Sequence, residues 1–174
     1  MTLLVQPARR NRALSRLRHA IPTLRTTLFG ALLWAVTMGA SALINLLLDH
    51  WVTPDKIRTV SLLFTGGGAL AFPVGLFSAR LVSLGRGWEV AFASALVCLA
   101  AATIGLTAGL YALQYRSYYA EWHAPAFTLE WGFQLVFTMA VALYQFVVLG
   151  IRLYVPLGFV ALFAAGLWFA QRQR

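Results

Sequence analysis

Charge is what this chain has least of. Its 174 residues include five acids and fourteen bases, only 11% charged residues in all. A soluble domain averages about a quarter charged residues. The charges are also gathered into short clusters between long apolar runs, and 60% of the chain is hydrophobic. Such segregation excludes an ordinary soluble domain and points to a chain whose main solvent is lipid. There is one cysteine, Cys98, within an apolar run. That excludes a disulfide framework and a cysteine-based metal site. Lysine is almost absent, with Lys56 alone beside thirteen arginines. Arginine in place of lysine, together with abundant alanine, suits a GC-rich bacterial genome.

The apolar runs lack ionisable groups at their centres: no Asp, Glu, Lys or His falls mid-run. Such residues mark proton relays and ion paths, so a proton-coupled pump acting alone is not expected. Paired-histidine haem is not expected either, because His19, His50 and His123 fall at or beyond the ends of runs. No phosphate loop, nucleophile elbow or zinc-protease helix is present, and no cofactor is expected. The net charge of +9 does not argue for nucleic acid. Six arginines precede the first apolar run (Arg9, Arg10, Arg12, Arg16, Arg18, Arg25), where they set topology and meet anionic headgroups.

What is present reads as an all-α polytopic membrane bundle. Residues 1–25 carry no acid and pattern as a basic amphipathic helix ended by Pro22. Arg9, Arg12 and Arg16 share its polar side and are the candidates for binding lipid headgroups. A mitochondrial transit segment has the same composition. The bundle follows over residues 26–171, with spans predicted at about 26–48, 59–80, 89–113, 128–149 and 155–171. The last two come from 43 nearly uninterrupted apolar residues, 128–170. One helix of that length would measure ~65 Å against a ~30 Å bilayer core. A fold-back is therefore expected at Gly150, Arg152 and Pro156. Five spans with a cytoplasmic N-terminus put nine Lys and Arg inside and five outside. The expected home is the bacterial inner membrane, with the mitochondrial inner membrane as the alternative.

Small residues recur at every fourth position in three spans: Ala31, Ala35 and Gly39; Gly67, Ala71, Gly75 and Ala79; Ala101, Gly105 and Gly109. Such ridges let helix backbones approach closely, which matters where lipid supplies no hydrophobic drive for pairing. The glycine run Gly66–Gly68 before Pro73 has three readings: a continuous packing helix kinked at Pro73, a helix broken around a ligand, or a re-entrant loop that does not cross. Asn45, Gln134 and Gln145 are the larger polar residues within the spans, with Gln134 and Gln145 three turns apart on one face; they suit hydrogen bonds between helices, with pore lining as the alternative.

Function follows only as an expectation. The leading reading is an accessory, assembly or scaffold subunit that acts through helix–helix association, with lipids and other membrane subunits or further copies of itself as partners. The alternative is a small oligomeric transporter or channel lined by the glycine-rich second span. A third reading is a membrane enzyme or metal-binding protein using Asp49, His50, Glu121, His123 and Glu130. No metal is assigned, because Glu-x-His is not a metal signature and each of these residues has an ordinary role beside a helix end.

Overall fold

The computed structural model describes Leu17 and residues 20–172. Arg9, Arg12 and Arg16, with most of the basic amphipathic segment, lie outside the described residues. Pro22 sits in the non-helical stretch before the first long helix. Five helices follow, and no strand occurs among the described residues: α1 Leu24–Leu48, α2 Pro54–Ser83, α3 Trp88–Tyr119, α4 Leu129–Gln145 and α5 Leu157–Gln171.

Local chemistry sets the helix ends. Thr23 caps α1, its hydroxyl accepting from the Thr26 N–H at 3.4 Å. At the other end His50 adopts a left-handed φ of 54°. Its N–H bonds to the Leu47 carbonyl and the Trp51 N–H to the Leu46 carbonyl, both at 3.1 Å. This is the Schellman arrangement, which closes the last carbonyls of a helix. Pro54 opens α2, where its missing N–H costs nothing. Thr128 caps α4 through the Trp131 N–H at 3.2 Å.

α1, α2 and α3 form an antiparallel three-helix bundle. Contacts between α2 and α3 run in strict register, Gly67 against Thr107 and Gly75 against Leu99. α1 meets α2 at Gly39 against Thr65, and at Gly68 against Trp34, Ala35 and Met38. α2 is continuous through Gly66–Gly68 and through Pro73. Glycine costs a water-exposed helix roughly 1 kcal/mol per residue. Here close backbone approach on both sides offsets that cost, and unwinding in lipid would strand unbonded N–H and C=O groups. The core between the helices is aromatic and aliphatic, with Trp34, Met38, Phe64, Phe72, Leu76 and Leu99 buried.

The expected fold-back at residues 150–156 is corrected. α4 and α5 run in the same direction, one after the other, antiparallel to α3 along its length. Thr138 lies beside His123, Gln145 beside Tyr115 and Tyr111, Tyr154 beside Thr103, and Gly166 beside Leu96 and Phe92. Between them the chain passes through a π-helical turn at Phe146–Gly150, a 3-10 turn at Ile151–Tyr154 and a cis peptide before Pro156. α5 has 15 residues and is not among the four helices long and apolar enough to cross a membrane. The 43-residue apolar stretch exceeds a bilayer because α4 begins beyond the end of α3, not because it doubles back.

Both ends of the described chain therefore meet at the same end of the bundle. Arg80 Nη1 donates to the Ile21 carbonyl at 3.2 Å, and Arg172 lies close enough to Arg80 to repel it. Arg172 itself sits 4.6 Å from the Trp168 ring centroid.

Candidate functional site

Two places concentrate polar groups: the joint between α4 and α5, and the opposite end of the bundle where α3 passes to α4.

At the joint, the turns leave backbone carbonyls with no helical partner. α1 supplies donors for them. Ser41 Oγ donates to the Leu153 carbonyl at 2.8 Å, and Asn45 Nδ2 donates to the Leu153 and Val155 carbonyls at 3.3 and 2.8 Å. Arg152 Nη2 meets Asp49 Oδ2 at 2.7 Å. Deeper in, Trp34 Nε1 donates to Thr103 Oγ1 at 3.0 Å, and Thr103 passes its own proton to the Leu99 carbonyl at 2.6 Å. Tyr154 reaches the Thr103 carbonyl at 3.5 Å while its ring packs, tilted, 4.8 Å from that of Phe64. Non-helical backbone at membrane depth is tolerated where protein groups satisfy it, and α1 supplies donors to the Leu153 and Val155 carbonyls.

The small residues divide into two sets. Ala35, Gly39, Gly67, Ala71, Gly75 and Ala79 are buried, and Ala31 is half-buried. A β-carbon on Gly75 would lie 2.9 Å from Leu99 Cα, and one on Gly68 would lie 3.1 Å from the Trp34 carbonyl oxygen. The α3 set lies apart from these contacts. Ala101 and Gly105 are exposed, and a β-carbon at Gly105 or Gly109 would meet nothing within 4 Å. α3 packs through Ala91, Ala95, Leu99, Thr103 and Thr107 instead. The reason is complementarity. The notches at Gly67 and Gly75 receive the larger Thr107 and Leu99, so small residues on one helix meet bulk on the other.

At the α3–α4 end, the residues expected to gather around a metal are dispersed. Asp49 pairs with Arg152, His50 is the left-handed residue that closes α1, and Glu121 is exposed on the 3-10 turn Ala120–Trp122. No group of three metal-ligating side chains occurs among the described residues. His123 and Glu130 do share a groove of about 660 Å³, with Gln134, Thr138 and three apolar side chains, Leu129, Phe133 and Phe137. Its polar groups are connected. Gln134 Oε1 accepts from the Ala124 N–H at 2.7 Å, while Gln134 Nε2 donates to Glu130 Oε1 at 3.4 Å. Thr138 Oγ1 donates to the Gln134 carbonyl at 2.6 Å and accepts from His123 Nε2 at 3.1 Å.

Gln145 bonds Tyr111 and Tyr115 of α3, whereas Gln134 holds the loop ahead of its own helix. Around this end the rings of Tyr118, Tyr119 and Trp122 pack edge-on or tilted, 5.1–5.9 Å from one another, in the manner of an aromatic belt at a lipid–water boundary.

Sequence reasoning marked Asn45 for hydrogen bonds between helices but missed Ser41 as a donor to the joint. Comparison with protein-family models, curated proteins and solved structures finds no match to this chain.

Proposed function

We propose that this chain is a small integral membrane protein that acts by helix–helix association, as an accessory or assembly subunit of a membrane complex. The carrying observation is the α3 stripe Ala101, Gly105 and Gly109: Ala101 and Gly105 are exposed, and a β-carbon at either glycine would meet nothing within 4 Å. Such a stripe lets a foreign backbone approach closely. The stretch Leu129–Tyr154 adds a second uncovered surface: 11% of its apolar window is buried, against 33–39% for the spans of α1 to α3.

The proposed topology has four crossings, the fourth shared by α4 and α5, with both termini in the cytoplasm of a bacterial cell. The positive-inside rule supports it. Ten bases fall at the cytoplasmic end, namely the six arginines between residues 9 and 25 with Arg80, Arg86, Arg172 and Arg174. Lys56, Arg58 and Arg116 make three at the other, and Arg152 lies in the joint within the fourth crossing. The packing of Gly67 and Gly68 against neighbouring helices gives no support to a solute path along α2.

The test is Gly105→Leu in the full chain. It should abolish the oligomer, or the co-purifying subunit, in mild detergent while leaving helicity and melting temperature unchanged. Wild-type protein that is strictly monomeric and retains no partner defeats the proposal.

A further inference from the structure

The groove at the α3–α4 end is chemically one-sided. It holds one carboxylate, Glu130, and no Lys or Arg. The Thr138 proton is committed to the Gln134 carbonyl, so His123 must donate to Thr138 through Nε2. A neutral His123 then carries its acceptor lone pair on Nδ1. Glu130 and His123 are thus both acceptors. Phe133 and Phe137 give the groove an apolar wall.

Its surroundings point to lipid. Thr138 is level with His123, so the nine residues of α4 ahead of it carry the helix ~13 Å past the end of α3. Apolar side chains on that overhang, Phe133, Val136 and Phe137, are exposed. Just before it Phe127 is 93% exposed, held at a left-handed φ of 68° and packed 5.6 Å from the Trp131 ring. A bulky residue at such a φ is strained, and strain of this kind clusters at functional positions.

We infer that this groove binds a phospholipid whose headgroup carries a primary ammonium, of the ethanolamine class. The ammonium donates to Glu130 and His123 while the acyl chain lies along Phe133 and Phe137. An anionic headgroup without an amine would face an uncompensated carboxylate. A choline headgroup brings charge but no N–H donor. The inference goes beyond the accessory role and stands whether or not the chain has a protein partner.

Native mass spectrometry of the full-length protein in dodecyl maltoside tests it. Phosphatidylethanolamine, phosphatidylcholine and phosphatidylglycerol are titrated separately into wild type, Glu130→Gln and Glu130→Asp. Glu130→Gln should lose at least threefold in ethanolamine-lipid occupancy, with glycerol-lipid occupancy unchanged, because the arginine-rich end still binds anionic lipid. Glu130→Asp should retain most of the ethanolamine-lipid binding, which rules out a folding defect. Wild-type occupancy by ethanolamine lipid no higher than by choline lipid overturns the inference. So does equal ethanolamine-lipid occupancy in Glu130→Gln and wild type, or a parallel loss of both lipid classes.

Discussion

Asp49 and Arg152, 103 residues apart in sequence, form an ion pair at 2.7 Å, the only one among the described residues. It fixes the end of α1 to the joint between α4 and α5. Their side chains are 35% and 55% exposed, so the pair is screened and its energy small, about 0.2–1 kcal/mol. Asp49→Ala and Arg152→Ala should each lower the melting temperature slightly, and the double variant should cost no more than either alone. Fully additive losses would show that the two side chains act independently.

The path of α4 and α5 along α3 places residue 172 at the same end as Arg80. Cysteines introduced at Gln171 and Arg86, in a Cys98→Ser background, should be labelled by a membrane-impermeant maleimide from the same side of sealed vesicles. A cysteine at Lys56 should be labelled from the other. Labelling of Gln171 and Lys56 positions from one side would restore the five-crossing arrangement.

Two glycines separate internal packing from an outward surface. Gly75→Ala drives a methyl to 2.9 Å from Leu99 Cα, backbone that cannot rotate away. A cost of about 1–3 kcal/mol is expected from overpacking. Gly105→Ala meets nothing within 4 Å and should be neutral or stabilising, given alanine's helix propensity. Detergent or chaotrope unfolding of the purified variants reads both, and equal effects would remove the assigned register of α2 and α3.

Asn45→Ala removes both of its bonds to the joint. Val155 then has no donor, while Ser41 still serves Leu153. A carbonyl left unsatisfied away from water costs about 1–3 kcal/mol, and the loss should appear as faster proteolysis or hydrogen exchange at residues 150–158. Asn45→Asp keeps the shape but replaces the amide donor with an acceptor, and should be at least as damaging. A variant that melts and exchanges like wild type would show that the joint does not depend on α1.

Much of the fold is legible in the sequence because lipid imposes a simple pattern. Spans expected at 26–48, 59–80 and 89–113 correspond to α1 Leu24–Leu48, α2 Pro54–Ser83 and α3 Trp88–Tyr119. The structured ends overrun the apolar cores, since polar residues such as Asp55 and Arg116 continue a helix into the interface. The α4–α5 relationship was not legible. Gly150, Arg152 and Pro156 suit either a hairpin or a broken crossing, and the choice rests on donors from Ser41 and Asn45 more than a hundred residues away. The face used by α3 was hidden for a related reason. Ala101, Gly105 and Gly109 are spaced like a packing ridge, but Gly67 and Gly75 already provide the notches, and a notch needs a knob. Of the acids and histidines beside the helix ends that the sequence offers as chemistry-bearing, only His123 and Glu130 end in one groove.

The joint also bears on biogenesis. α1 leaves the ribosome well before α5, so the carbonyls of Leu153 and Val155 reach the bilayer after Ser41 and Asn45 are already there. A chain whose first helix is delayed or inverted would deliver its final segment to bare hydrocarbon, with unmet hydrogen-bonding groups that a membrane quality-control protease could recognise.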